Sequence, residues 1–502
     1  MSLRFSNGLL PLMFFLVFTL FLSFIVPLTQ DENLHSIIMY EQTKNPLNPV
    51  PTLFDYAVSW KPFLFFIFYS LFYSLPFSAV VALRLPTLIF GFVSLILTKK
   101  FFENLKFSEL HISVILWMIV TSISFIYSSY AIHPDMMLNF MVLLSLVVVS
   151  SKEVGKNQFL LISILVFISV FIKTVFALLI PFLCFFYLLF RDREKLYSFY
   201  FWLIPFAFFA AVATHFFILE SFSEGLGIQT YYTDVIFTHL VHGFDPLSKL
   251  ITILGGIQTI FETQLIWLVL SIFGFVQNYK KYPFFSFWYL LCVPLVISQM
   301  FAPWYFLPVI IPISFFALSF FARKNLDLSF IDFDKFEKVI ISLFIVCSAI
   351  LLFYQFFDVS LYRFGNQKIA GEFLANKENV LIIGDYAPGI IGHKMHDEIK
   401  STGKHLDFGW FFNLNQSDFA KNIPLVYYNY SSEIPNTKTG SFTDLYFVNS
   451  NFRKESNLTH FRYVAFVNNE NPIPNGTLIM NLSQGSKKIL IYEFPQLNSS
   501  FK

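Results

Sequence analysis

Apolar stretches follow one another from Gly8 to about Phe357, separated by short polar interruptions, and beyond Asp358 the pattern changes to brief apolar runs between polar turns. A membrane-spanning helix needs about 20 predominantly apolar residues. The segments 8–28, 79–98, 111–130, 136–150, 158–172, 174–190, 198–219, 252–278, 284–300, 304–322 and 339–357 approach that requirement and predict eleven spans. After them, "NVLIIGDYAPGIIGHKMHDEIK" reads as strand, glycine-containing turn and helix, and "IPLVYYNY", "DLYFVNS", "RYVAFVNN" and "KKILIYEF" read as strands. The expected fold is an α-helical polytopic membrane protein, residues 1–357, followed by a soluble α/β domain, residues 358–502.

Lys and Arg positions orient the spans, because cytoplasmic connections carry an excess of them. Lys99, Lys100 and Lys106; Lys152 and Lys156; Arg191, Arg193 and Lys195; Lys280 and Lys281; and Arg323, Lys324, Lys335 and Lys338 form the basic clusters. Placing all of them inside puts the N-terminus in the cytoplasm and the C-terminal domain outside. "KPFLFFIFYSLFYSLP", Lys61 to Pro76, would invert every later cluster if it crossed, so it is expected as a re-entrant or interfacial helix on the outer face; a short span compensated elsewhere is the alternative. The Asn-x-Ser/Thr triplets at Asn415, Asn429, Asn457, Asn475, Asn481 and Asn498 all fall in the domain that the charges place outside.

Composition supports the membrane reading: 56% of residues are hydrophobic and 13% charged, with 70 Phe, against roughly 25% charged in a soluble domain. The net charge of +2 predicts neither nucleic-acid binding nor a polybasic tether. Arg4 followed by an apolar run without a small-x-small cleavage site predicts an uncleaved first span. Cys184, Cys292 and Cys347 lie inside apolar runs and predict neither a disulfide framework nor a metal cluster.

The outer ends of the spans share a chemistry. The first outer loop carries Asp31, Glu32, His35, Glu41, Lys44, Asp55 and Lys61, and the next outer turn, "YAIHPDMM", carries His133 and Asp135. Lys173 stands alone in the apolar hairpin "FIKTVF", and a charge there is costly enough to want a partner. A later outer segment holds Asp234, His239, His242 and Asp245, and the last contributes Trp304 and Tyr305. Carboxylates that can take a proton, lysines that can hold an anion and aromatic rings at headgroup depth suit glycosyl transfer from a lipid phosphate.

The order of these features resembles the GT-C glycosyltransferases, in the branch of protein O-mannosyltransferases and lipid A aminoarabinose transferases. The likeness runs from about Leu9 to Phe321 and rests on Asp31-Glu32 followed about thirty residues later by "SWKPFLFFIF", on "ALRLPTLIFG", on "HPDMML", and on "FIKTVFALLIPFLCFFYLLFRDREK" with "WYFLPVIIP". Two positions depart from the branch: Phe63 replaces the second proline of its Lys-Pro-Pro motif, and Trp304 replaces the arginine before Tyr305, which shifts cationic work onto Lys61 and Lys173. The resemblance implies a polyprenyl (dolichyl) phosphate-linked sugar as donor and a protein, lipid or glycan as acceptor. Asp31 would be the catalytic base, Glu32 would orient the acceptor or share that role, and Asp135 would be the second acid of the pocket. Lys61 and Lys173 would hold the lipid phosphate, and Tyr305 would line the donor cavity. Arg84 would reach a phosphate or pair with an acid.

Bland readings stand beside these. Asp31 and Glu32 also suit a helix end in solvated headgroups, Lys61 suits a snorkelling residue, and Asp135 after Pro134 suits a first-turn acid. His239 and His242 share a helical face, but no third ligand is fixed by spacing. No cofactor is assigned, although a divalent metal stays open. "GDYAPG" lacks the three-glycine dinucleotide pattern and reads as a turn. A transporter and a non-catalytic scaffold are the rival classes, and an oligosaccharyltransferase is the rival within the enzyme reading. A transporter would gather its charges near midplane between repeated halves, whereas these acids gather at one face.

Overall fold

The computed structural model describes residues 8–222 (except 45, 47, 54–55, 58–61 and 76), 254, 257–258, 266–291, 303–321, 335–356, 361–375, 377, 380–383, 389–390, 392–396, 463–467, 476–484 and 487–493. The helices are α1 (Leu9–Ile25), α2 (Gln30–Lys44), α3 (Phe63–Ser70), α4 (Ala79–Asn104), α5 (Glu109–Val120), α6 (Ile123–Tyr130), α7 (Pro134–Val149), α8 (Lys156–Lys173), α9 (Leu179–Arg191), α10 (Phe199–Phe222), α11 (Ile266–Asn278), α12 (Pro283–Leu290), α13 (Ile310–Phe321), α14 (Lys335–Tyr354) and α15 (Leu361–Leu374). The strands are β1 (Thr52–Leu53), β2 (Tyr56–Ala57), β3 (Val380–Ile383), β4 (Tyr463–Val467), β5 (Thr477–Gln484) and β6 (Lys487–Glu493). Two compact units share the chain: residues 1–23, 85–218 and 235–355 form the first, and 24–84, 219–234 and 356–502 form the second.

The first unit is helical and apolar on its outside. Among the described residues four helical stretches are long and apolar enough to cross a membrane: Val80–Asn104, Lys156–Arg191, Phe199–Ser221 and Glu337–Tyr354. Only 28% of the Phe199–Ser221 window and 22% of the Glu337–Tyr354 window is buried within the protein. Phe206, Phe209, Phe217, Val339, Leu343, Val346 and Ile350 are exposed, an apolar surface that suits lipid and that water would penalise. Inside, Phe serves as packing material. The Phe285 and Phe315 rings stack at 3.9 Å, and Phe102 lies parallel to Phe285 at 5.9 Å. Gly274 lets α11 run directly against α13, since a side chain there would meet the carbonyl of Phe316.

Three predicted spans differ in shape. Residues 111–130 form α5 and α6, bent by 68°, because Ser122 caps a new helix by accepting the Phe125 N–H. The spans expected at 158–172 and 174–190 are one helical stretch of 36 residues, Lys156–Arg191, in which a 3-10 turn at Thr174–Leu178 replaces a loop. Its dihedrals leave the helical range at Lys173 (φ −156°, ψ 65°) and Thr174 (φ 1°, ψ −96°). A straight rod of that length, at about 1.5 Å per residue, would overrun a hydrocarbon core of roughly 30 Å. Within the stretch 61–76 the described residues form a short helix, α3, followed by a 3-10 turn at Leu71–Ser74.

The second unit holds α2, the β1–β2 hairpin, α3 and the C-terminal α/β part. Its mixed sheet has the order β3-β4-β6-β5, with β3 parallel to β4 and the other neighbours antiparallel. Helix α15 packs on β5 and β6. The strands expected in "NVLII", "RYVAFVNN" and "KKILIYEF" are β3, β4 and β6, whereas β5 was not anticipated: its "TLIMNLSQ" mixes polar and apolar residues and carries a bulge between Leu478 and Met480. "IPLVYYNY" and "DLYFVNS" lie outside the described residues.

Candidate functional site

The first cluster grows from the turn between α1 and α2, in the second unit. Thr29 and Glu32 form a capping box: the Glu32 N–H donates to Thr29 Oγ1 at 3.2 Å and the Thr29 N–H donates to Glu32 Oε2 at 2.9 Å. The same carboxylate takes the Arg84 guanidinium in bidentate fashion, Nε to Oε1 at 2.8 Å and Nη2 to Oε2 at 2.9 Å. Arg84 also donates to the carbonyls of Val26 at 2.7 Å and Pro27 at 3.3 Å, at the open C-terminal end of α1. Both side chains of this pair are 0% exposed. Of the two readings the sequence left open for Arg84, a phosphate or an acid, the structure shows the acid: its partner is Glu32, which is buried with it. Asp31, in the same first turn of α2, stays partly exposed.

The second cluster lies in the first unit, where α7 begins and α8 ends. His133 occupies the cap position of α7, Pro134 the first turn, and Asp135 places its carboxylate near the positive helix end. Lys173, the last residue of α8, brings Nζ to Asp135 Oδ1 at 2.5 Å. That ammonium also stands over the rings of Phe176 at 4.4 Å and Tyr305 at 4.6 Å, two aromatic faces that attract a cation. Asp135, Asn139, Phe176, Tyr305, Leu307 and Pro308 line a narrow, largely apolar cleft. Exposures of 14% for Lys173 and 9% for Asp135 keep the pair short of full burial.

The structure thus brings Asp135, Lys173 and Tyr305 together, and brings Glu32 and Arg84 together. Lys61, His239 and His242 lie outside the described residues, as does the side chain of Trp304. Among the described residues no group of three or more His, Cys, Asp or Glu is arranged to hold a metal ion. Phe176 was passed over in the sequence, although its spacing three residues after Lys173 carried the signal. The cap role of Glu32 was readable in Thr29-x-x-Glu32.

No protein-family model matches the sequence, and no curated protein matches it. Solved structures do resemble it. ArnT from Cupriavidus metallidurans bound to undecaprenyl phosphate aligns with 11% identity and a TM-score of 0.46, covering 80% of this chain and 76% of that one. The same protein in the apo state gives 12% identity and 0.48 over the same shares. The oligosaccharyltransferase of Archaeoglobus fulgidus in its apo form gives 10% and 0.49, over 79% of this chain and 64% of that one.

Chemically, the Lys173 cluster offers a positive charge held by one carboxylate and two ring faces beside a narrow cleft. An ammonium has three donors, and Asp135 Oδ1 engages one. Asp31, partly exposed, stands in the first turn of the helix that the Glu32–Arg84 pair anchors.

Proposed function

We propose that the protein is an integral-membrane glycosyltransferase of GT-C type, moving a hexosyl or pentosyl group from a polyprenyl phosphate, dolichyl by preference, to a protein, lipid or glycan acceptor outside the cytoplasm. The observation that carries the reading is the Lys173 ammonium, fixed at the end of an apolar helix by Asp135 and the rings of Phe176 and Tyr305, three residues that also line a narrow cleft. A lipid carrier keeps its tail in the bilayer and presents its phosphate at such a helix end.

In the reaction an acceptor oxygen or nitrogen bonds to the anomeric carbon while the bond from that carbon to the phosphate oxygen breaks. Asp31 takes the acceptor proton. The electron pair leaves on the phosphate, whose growing charge Lys173 stabilises. Asp135 holds Lys173 in place, and Tyr305 walls the cleft.

The test is release of polyprenyl phosphate. Purified protein in detergent with lipid is given a panel of radiolabelled polyprenyl-phosphate sugars and membrane extract as acceptor source. Release from one donor, dependent on extract, is the expected result. Folded protein that releases nothing from any donor would sink the reading and favour transport or a scaffold role.

A further inference from the structure

The C-terminal part of the second unit reaches the first outer loop through one short helical turn at 392–396, and its contacts fall on α2 just after Asp31. Gly392 lies against Asn33, so closely that a side chain there would meet Asn33 Oδ1 and come within 2.7 Å of Asn33 Cβ. The His393 side chain is buried in the same turn. The His396 Nε2 lies 3.0 Å from Ser36 Oγ, five residues after Asp31. Ser36 Oγ donates its own proton to the Asn33 carbonyl at 2.7 Å, so the Nε2 must carry hydrogen and donate. Burial pushes the His396 ring down to about 4 and that of His393 to about 3, which keeps both neutral at neutral pH. Tyr73 completes the arrangement: its hydroxyl donates to the Ser36 carbonyl at 2.8 Å, and its ring stacks on His396 at 6.3 Å and 21°.

We propose that the turn at 392–396 is a positioning element for the reaction, with His396 holding the helix that carries Asp31 through Ser36. The inference rests on the reading of Asp31 as the acceptor base. A base performs only within hydrogen-bond reach of its proton, and displacement of about 1 Å costs on the order of 100-fold in rate. On the α1 side the Glu32–Arg84 pair fixes α2. On the other side the fixing groups are His396, Gly392 and Tyr73. The "GHKMH" string, which looked like ordinary helix in the sequence, is therefore part of the machinery of the first loop.

The experiment compares wild type, His396→Leu, His396→Gln, Ser36→Ala and Gly392→Ala in the full chain. Two readouts are taken: transfer kinetics against donor concentration, and hydrogen exchange of amides 30–44. His396→Leu should lower kcat about tenfold and leave the donor KM within about twofold. It should also speed exchange in α2 by about tenfold, as loss of one buried hydrogen bond does. His396→Gln, whose amide N–H can replace Nε2–H, should recover most of both. Ser36→Ala combined with His396→Leu should add little to either single change. Gly392→Ala, which pushes the turn from α2, gives the same reading should His396→Leu fail to fold. Unchanged α2 exchange overturns the proposal, as does a loss expressed in donor KM with kcat intact. An Asp31→Asn variant that retains transfer overturns the reading of the base instead. A wild type that releases no polyprenyl phosphate overturns the transferase reading and leaves the exchange result to decide the clamp.

Discussion

Under the proposed reaction, converting Asp31 to Asn should lower kcat for sugar transfer by about 10²- to 10⁴-fold, the range that removal of a general base produces, with little change in thermal unfolding or donor binding. The same acid-to-amide change one residue later has the opposite signature. Glu32→Gln leaves the buried Arg84 guanidinium facing a neutral group, and breaking a buried pair from one side costs about 3 kcal/mol or more. The contrast follows from burial. Glu32 is 0% exposed and spends both oxygens on Arg84 and the Thr29 N–H, whereas Asp31 is partly exposed on the same turn. A double change of Glu32→Leu and Arg84→Met should regain much of the lost stability, because removing both partners spares the uncompensated charge. It should remain about 1 kcal/mol short for the lost cap and for the Val26 and Pro27 carbonyls left without Arg84. Unfolding curves and transfer kinetics on the four proteins decide the matter. A Glu32→Gln protein that folds as wild type but is inactive would move Glu32 into the chemistry, and a fully active Asp31→Asn would remove Asp31 from it.

That pair of neighbours also shows what the sequence made legible. The helical membrane class followed from apolar length alone, and the exposed apolar faces of α10 and α14 agree with it. Lys173 was singled out because an isolated charge in an apolar segment needs a partner, and Asp135 is that partner, 38 residues away. Arg84 carried two readings in the sequence, phosphate or acid, and only the fold chose Glu32, 52 residues distant. Local capping was written in Thr29-x-x-Glu32 but was outweighed by the acid pair that the two positions make together. The 68° bend at Thr121–Ser122 and strand β5 escaped because neither leaves a run of turn residues or a clean alternation. The contact of His396 with Ser36 spans 360 residues, a pairing that no local pattern encodes.

Lys173 and Asp135 should respond to mutation with opposite signs in binding. Lys173→Met keeps the length of the side chain between Phe176 and Tyr305 and removes its charge, so kcat/KM should fall by about 10²- to 10³-fold, the cost of one preorganised charge-stabilising group. Asp135→Asn should bind polyprenyl phosphate several-fold more tightly. The Asp135 carboxylate and an incoming phosphate compete for one ammonium, and like charges this near repel, so neutralising Asp135 removes both the competitor and the repulsion. Tighter product binding then slows turnover wherever release limits it. Equilibrium binding of polyprenyl phosphate to both variants, set beside steady-state kinetics, separates the two effects. Weaker binding by Asp135→Asn would mean that Asp135 acts only by orienting Lys173, with no anion approaching that ammonium closely. Unchanged binding by Lys173→Met would mean that the cation over the Phe176 and Tyr305 rings is a packing device and that the phosphate is held elsewhere.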